Sequence, residues 1–224
     1  DNSPLTLADR TANDHICQQL KAQYPAIPII SEENQEIPYE TRKDYEHFWL
    51  VDPLDGTKEF IKQNGEFTLN LALVQKGQPV AGIVSAPALG RIYYAAKGQG
   101  AFLVDEHNQR HTLQAHRFTE DQAGLRLVCS RSHMNEDTQA FVDQYQEPEL
   151  VSMGSSLKFM LVAEGKADIY PRFGPTMEWD TGAAQAIVEE AGGQVLAHDT
   201  REPLQYNKPD LHNPWFLVYG AVNA

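Results

Sequence analysis

Apolar positions along the chain fall into two rhythms. Ala8, Ala12, Ile16 and Leu20 recur every four residues, which is the stripe of an amphipathic helix. The pattern predicts a helix from Thr6 to Tyr24, stopped by Pro25. Ile27 to Ile30 is a short apolar strand that runs into Ser31-Glu32-Glu33. Residues 34–46 are polar, carry Pro38 and read as a loop. Phe48 to Val51 reads as a buried strand. Phe67 to Val74, Val80 to Ser85, Arg91 to Ala96 and Ala101 to Val104 follow as strands. Their separators are Lys76-Gly77-Gln78-Pro79, residues 87–90 and Lys97-Gly98-Gln99-Gly100, so an antiparallel meander is expected.

From Leu125 the rhythm changes. Leu125 to Cys129, Leu150 to Met153 and Ala167 to Tyr170 read as strands. They alternate with helices at Glu136 to Tyr145, Ser155 to Glu164 and Trp179 to Ala191, the last closed by Gly192-Gly193. Gln194 to Ala197 and Phe216 to Tyr219 are the final strands. This alternation predicts an α/β half. The boundary falls in the polar segment 105–124, giving an α+β half over 1–115 and an α/β half over 116–224.

Composition narrows the function. The chain has 224 residues, 42% hydrophobic and 22% charged, enough for one large domain or two small ones. No apolar run approaches the roughly 20 residues of a membrane span, and no secretory signal pattern is visible. The chain starts at Asp1 rather than Met, which reads as a processed or trimmed form. Cys17 and Cys129 lie far apart in apolar surroundings and read as reduced core residues of a cytoplasmic protein. The net charge of −13 argues against a nucleic-acid polymer as partner. It leaves simple solubility, or acids pooled to hold cations.

Position along the chain favours the second reading at one place. The strand at 48–51 stops at Asp52-Pro53-Leu54-Asp55-Gly56-Thr57, where two acids crowd a strand end. Pro53 and Gly56 turn the chain tightly, so both carboxylates and the Leu54 carbonyl can converge. Glu32-Glu33 ends the preceding strand and Asp180 starts a later helix, giving three acidic termini in all. Hard oxygen donors without His or Cys suit Mg²⁺ or Mn²⁺ rather than zinc. Two such ions clamp the attacking and leaving oxygens of a phosphoryl transfer. Thr57 offers a hydroxyl to orient a water, and Asp9 a carboxylate to take its proton if the first helix packs here. Plainer roles stay open. Thr6-Leu7-Ala8-Asp9 is close to a capping box, Asp180 suits a helix start, and Glu32-Glu33 suits a solvated loop.

Anion-binding candidates follow other strand ends. Gly154-Ser155-Ser156 lies between a strand and a helix, where backbone N–H groups and hydroxyls can cradle a phosphate. Ser130-Arg131-Ser132-His133, Lys158 and Arg172 add donors and cations. Each signal is common when taken alone.

Together the motifs carry a family resemblance. Trp49-Leu50-Val51-Asp52-Pro53-Leu54-Asp55-Gly56-Thr57 resembles the first signature of the inositol monophosphatase-like, lithium-sensitive phosphatases. Glu178-Trp179-Asp180-Thr181-Gly182-Ala183-Ala184, leading to Ala191-Gly192-Gly193, resembles the second. Asp1 to Asp9, Gly56-Thr57-Lys58-Glu59-Phe60, Ser130 to His133, Gly154 to Phe159 and Tyr170 to Thr176 are similar to the 3′(2′),5′-bisphosphate nucleotidases of the bacterial CysQ type. The resemblance covers nearly the whole chain. It implies a layered α-β-α-β-α sandwich shared with fructose-1,6-bisphosphatase. It implies Mg²⁺, as two or three ions, on Glu32, Asp52, the Leu54 carbonyl, Asp55 and Asp180, with Mn²⁺ as a substitute and Li⁺ as an inhibitor. It implies Asp9, Thr57 and Glu32 as catalytic residues. Gly56, Thr57, Ser130, His133, Ser155, Lys158 and Arg172 would bind substrate.

The reaction implied is hydrolysis of 3′-phosphoadenosine 5′-phosphate to AMP and phosphate, clearing a by-product of sulfate assimilation. The implied setting is the cytoplasm, with peripheral association at the cytoplasmic face of the inner membrane as a variant. Two departures stand out. Family members carry a helix and a Lys-rich segment ahead of the Asp-Asn-Ser-Pro stretch, and their lack would expose apolar meander surface and loosen Asp9. Gly182 replaces a usual Ala and would cost the helix up to ~1 kcal/mol. The competing readings are an inositol monophosphatase, for which a second anion pocket would be idle, and a metal- or nucleotide-binding protein without turnover.

Overall fold

The structure is a computed structural model and describes residues 6–129 and 134–223. Helix α1 spans Leu7–Gln23 and starts at Thr6, whose hydroxyl accepts from the N–H groups of Ala8 and Asp9. Its inward face is not the expected Ala8/Ala12/Ile16/Leu20 stripe but Asp9, Asn13, Cys17 and Leu20. The helix is rotated by about one residue, because Asn13 bonds Ser31 (2.7 Å) and Asn34 (3.0 Å) on the sheet side.

Strand β1 (Ile29–Ser31) comes next. The expected loop at 34–46 holds one helical turn, α2 (Tyr39–Arg42). Strand β2 (His47–Asp55) runs four residues past its predicted end, and α3 (Thr57–Ile61) starts directly after it. The meander follows as β3 (Thr68–Gln75), β4 (Gln78–Ala86), β5 (Arg91–Ala96), β6 (Gly100–Val104) and an unforeseen exposed strand, β7 (Arg110–Thr112). These seven strands form one sheet in sequential order; β1 and β2 are parallel and the remaining pairs antiparallel.

After β8 (Arg117–Phe118) come β9 (Arg126–Cys129), α4 (Glu136–Val142), β10 (Glu149–Ser152), α5 (Leu157–Ala163), β11 (Ile169–Arg172), α6 (Glu178–Glu190), β12 (Gln194–Ala197), β13 (Phe216–Tyr219) and β14 (Ala221–Val222). The second sheet has the order β10-β9-β11-β13-β12, and β14 pairs with β8.

The layers stack as α1, the larger sheet, α5 with α6, the smaller sheet and α4. This is the expected α-β-α-β-α sandwich. One buried cluster runs through both sheets and the helices between them, from Phe48, Leu50 and Val74 to Met160, Ile187, Phe216 and Val218. Helix α6 lies close on β4 because Gly82 has no side chain: a Cβ there would stand 2.2 Å from the Ala183 carbonyl oxygen. Gly182 is also at a contact, where a Cβ would come 3.0 Å from Leu50 Cδ2. Ile83 and Ile92 on the outer face of the meander are 43% and 45% exposed, and Asp9 is buried and tied to Thr6.

Candidate active site

The site is built where β1 and β2 end side by side. Their parallel register pairs Ser31 with Val51, and the Glu32 N–H still donates to the Val51 carbonyl at 3.1 Å. Glu32 and Asp52 therefore leave the sheet at the same level. Side chains alternate along a strand, so residues three apart should face opposite ways. Here the ladder is interrupted between Asp52 and Asp55, which pair with Asn70 and Thr68 on β3. The extra residue of this bulge returns both carboxylates to one face. Gly56 then turns the chain at φ 90° and α3 begins. A Cβ on Gly56 would stand 3.2 Å from both the Glu66 carbonyl oxygen and Ser155 Cβ, so turn geometry and packing both favour glycine here.

Asp9 fills two roles at once. Its Oδ2 accepts from the Thr6 N–H at 2.8 Å and from the Thr6 hydroxyl, completing the capping box. Its Oδ1 faces the Thr57 hydroxyl at 3.3 Å. That hydroxyl is equally far from the Leu54 carbonyl, and its single proton can go to either acceptor.

Asp52 and Asp180 belong to the same pocket. Asp52 Oδ1 accepts from the Leu54 N–H at 3.0 Å, and Asp180 Oδ2 from the Met177 N–H at 2.9 Å. Burial, and then the neighbouring carboxylates, push Asp52 well above the usual carboxylate range. The same causes push Glu32 up to about 7. Asp180 is pushed up to about 8 by burial and by Asp55 and Glu32.

Among the described residues no three Asp, Glu, His or Cys side chains are already drawn together at ligand distance. Protein donors hold one oxygen of each Asp instead. Asp55 Oδ2 takes the Ser156 N–H at 2.6 Å and lies 2.8 Å from the Ser156 hydroxyl. The chemistry of the set nevertheless fits a hard divalent cation. It consists of four carboxylates and a carbonyl, all oxygen, and a bound cation would favour the charged forms of Glu32, Asp52 and Asp180.

Beside these acids lies a cavity of about 450 Å³ lined by Lys58, Lys158, Arg172, Tyr170, Phe173, Asn135 and Thr138 among others. None of its three cations has a carboxylate within salt-bridge distance among the described residues. Lys158 is lowered to about 8, first by burial, with Asp55 opposing and Arg172 reinforcing the shift. Arg172 donates to the Pro175 carbonyl at 3.0 Å, while its Nε is buried without a partner. Ser155 sits at φ 44° with its hydroxyl 3.4 Å from that of Thr68.

The structure thus brings Asp9, Glu32, Asp52, Leu54, Asp55, Gly56, Thr57, Ser155, Lys158, Arg172 and Asp180 into one region. Ser130 and His133 lie outside the described residues. One expectation is corrected. The Ser156 N–H at the start of α5 is directed to Asp55, not left open for a phosphate. Sequence reasoning gave no site role to Lys58, Thr68 or Asn70, and took Ser156 for a phosphate contact rather than a partner of Asp55. Thr68 and Asn70 carried a usable signal, being polar residues at inward positions of an otherwise apolar strand.

Comparison with known proteins agrees with this architecture. The profile described as the inositol monophosphatase family matches residues 1–215. The 3′(2′),5′-bisphosphate nucleotidase CysQ of Salmonella typhimurium is 46% identical over 220 residues, covering 97% of this chain and 86% of that protein. The Escherichia coli protein of the same name is 44% identical over the same length and shares of the two chains. The crystal structure of CysQ from Bacteroides thetaiotaomicron superposes with a TM-score of 0.87 at 42% identity, over 99% of this chain and 86% of that one. With its two carboxylate-bearing signatures in place on this sandwich, the chain belongs to the inositol monophosphatase family.

Proposed function

We propose that the protein is a Mg²⁺-dependent 3′(2′),5′-bisphosphate nucleotidase that removes the 3′-phosphate of 3′-phosphoadenosine 5′-phosphate, giving AMP and phosphate. One observation carries the reading. A pocket of four carboxylates, Asp52 buried and Glu32, Asp55 and Asp180 half-buried, adjoins a cavity whose three cations have no carboxylate within salt-bridge distance among the described residues, in a chain of net charge −13. A substrate with two phosphates uses both. A neutral ring with one phosphate leaves the second idle.

Glu32, Asp52, the Leu54 carbonyl, Asp55 and Asp180 would hold the metal. Bound there, Mg²⁺ supplies the positive charge that offsets the phosphate and acidifies a water. The backbone N–H groups of Gly56 and Thr57 hold the scissile phosphate. Thr57 Oγ1 orients the water and passes a proton toward Asp9 Oδ1, with Glu32 as a further acceptor. Ser155, Lys158 and Arg172 hold the rest of the nucleotide, with Ser130 and His133 assigned to the same task from the sequence. The proposal extends to two or three ions, replacement by Mn²⁺ and inhibition by Li⁺, all supported by the family resemblance. In this division of work, 1–115 supplies most metal ligands and 116–224 the nucleotide contacts. Among the described residues no helix is long and apolar enough to cross a membrane. A cytoplasmic setting, with peripheral association at the inner membrane, also rests on the resemblance.

The test is phosphate release with Mg²⁺ from 3′-phosphoadenosine 5′-phosphate and from inositol 1-phosphate. Strong preference for the nucleotide is expected. Preference for the inositol ester would overturn the assignment of the cation-lined cavity, and no release from either would overturn the reading as an enzyme.

A further inference from the structure

Ser156 is buried, 2% exposed, and stands where four segments meet. Its N–H donates to Asp55 Oδ2 at 2.6 Å. Its hydroxyl lies 2.8 Å from the same oxygen and 3.0 Å from the Asp180 carbonyl. The hydroxyl also accepts from Asn70 Nδ2 at 3.0 Å, and that nitrogen is 3.5 Å from Asp52 Oδ2. One side chain thus links the end of β2, an inward residue of β3, the start of α5 and the first turn of α6. A hydroxyl carries one proton, so it donates to Asp55 or to the Asp180 carbonyl while Asn70 occupies a lone pair.

The consequence for Asp55 is orientation. The Ser156 N–H holds Oδ2, the Ser156 hydroxyl lies 2.8 Å from the same oxygen, and Thr68 has its hydroxyl at 3.4 Å. Oδ1 has no hydrogen-bond partner among the described residues. A carboxylate with one oxygen pinned and the other open is set to use the open oxygen. Through Asn70 and the Asp180 backbone, the same hydroxyl reaches the segments that carry two more of the acids. Helix capping does not explain it, because the Ser156 side chain makes no cap bond to α5.

We infer that Ser156 is a positioning residue of the metal pocket, which holds Asp55 so that Oδ1 faces the cation and keeps the Asp52 and Asp180 segments in register with it. This rests on the proposed metal site. Ser156 touches neither metal nor substrate; it acts through Asp55 and Asn70.

The test is a Mg²⁺ titration followed by thermal unfolding, on wild type, Ser156→Ala and Ser156→Cys, alongside Mg²⁺ dependence of phosphate release. Cysteine keeps the approximate volume but is a weak donor, so it serves if the alanine variant does not fold. The expected result is a rise of about tenfold in the Mg²⁺ half-saturation of both variants by both readouts, with the unfolding temperature in chelator close to wild type. A double variant with Asp55→Asn should shift Mg²⁺ half-saturation no further than Asp55→Asn alone, because residues that act as a unit are not additive. Wild-type Mg²⁺ response in the folded variants would overturn the inference. So would an equal loss of unfolding temperature with and without Mg²⁺, the mark of a merely structural role. Absence of Mg²⁺ stabilisation in wild type itself would overturn the metal-site reading, and this inference with it.

Discussion

Thr57 shows how much one side chain decides. Its hydroxyl lies 3.3 Å from both Asp9 Oδ1 and the Leu54 carbonyl. Thr57→Ala should lower kcat about 100-fold or more while leaving KM for the nucleotide nearly unchanged, measured by steady-state phosphate release. Arg172 belongs to the other side of the site. Its buried, unpartnered Nε makes it a costly residue unless an anion arrives. Arg172→Ala should raise KM for the nucleotide on the order of tenfold and lower kcat much less. An unchanged KM would remove Arg172 from the substrate contacts.

Elements bring such residues together through contacts that no single segment encodes. The bulge in β2 puts Asp52 and Asp55 on one face, yet it exists only against β3. Helix α6 delivers Asp180 to those acids because it can press onto β4 at Gly82. Gly82→Ala would drive a methyl group into the backbone of α6, where no side chain can yield. The expected cost is about 3 kcal/mol, read as a lower urea midpoint at unchanged slope.

At the scale of the molecule, two charge arrangements set stability. Asp168 is buried and clasps the segment between the sheets to β9, with bonds to Arg126 (2.7, 2.8 and 3.0 Å) and to His116 (2.8 Å). Its own burial would raise its pKa, but the Arg126 and His116 bonds outweigh that and hold it below the usual carboxylate range. A depressed acid contributes stability that is present above its unfolded pKa and lost as pH falls through the folded one. Acid unfolding should therefore steepen below about pH 4 in wild type. Asp168→Asn should lose about 3 kcal/mol near neutrality and show a shallower acid limb. The second arrangement is the acidic pocket. Mg²⁺ at about 100 times its Kd should add about 2.7 kcal/mol, roughly 5–10 °C in Tm, and chelation should remove it. Asp52→Asn should abolish that difference together with activity.

Much of this was determined by the sequence alone. Local rules placed the helix start at Thr6, the strands that lead into Glu32 and Asp52, and the helix carrying Asp180. The Asp-Pro-Leu-Asp-Gly-Thr and Glu-Trp-Asp stretches named the family because they pack unusual chemistry into few residues. The extra length of β2, the one-turn α2, α3 and the exposed β7 were not legible. Their hydrogen bonds come from distant partners, or their residues are polar and aperiodic. The rotation of α1 was decided by Asn13 finding Ser31 and Asn34. Which way Asp55 faces was decided by Ser156, 101 residues away along the chain. Such choices are tertiary because they depend on which donor stands within about 3 Å of a carboxylate. A linear pattern records the type of each residue but not what lies across from it.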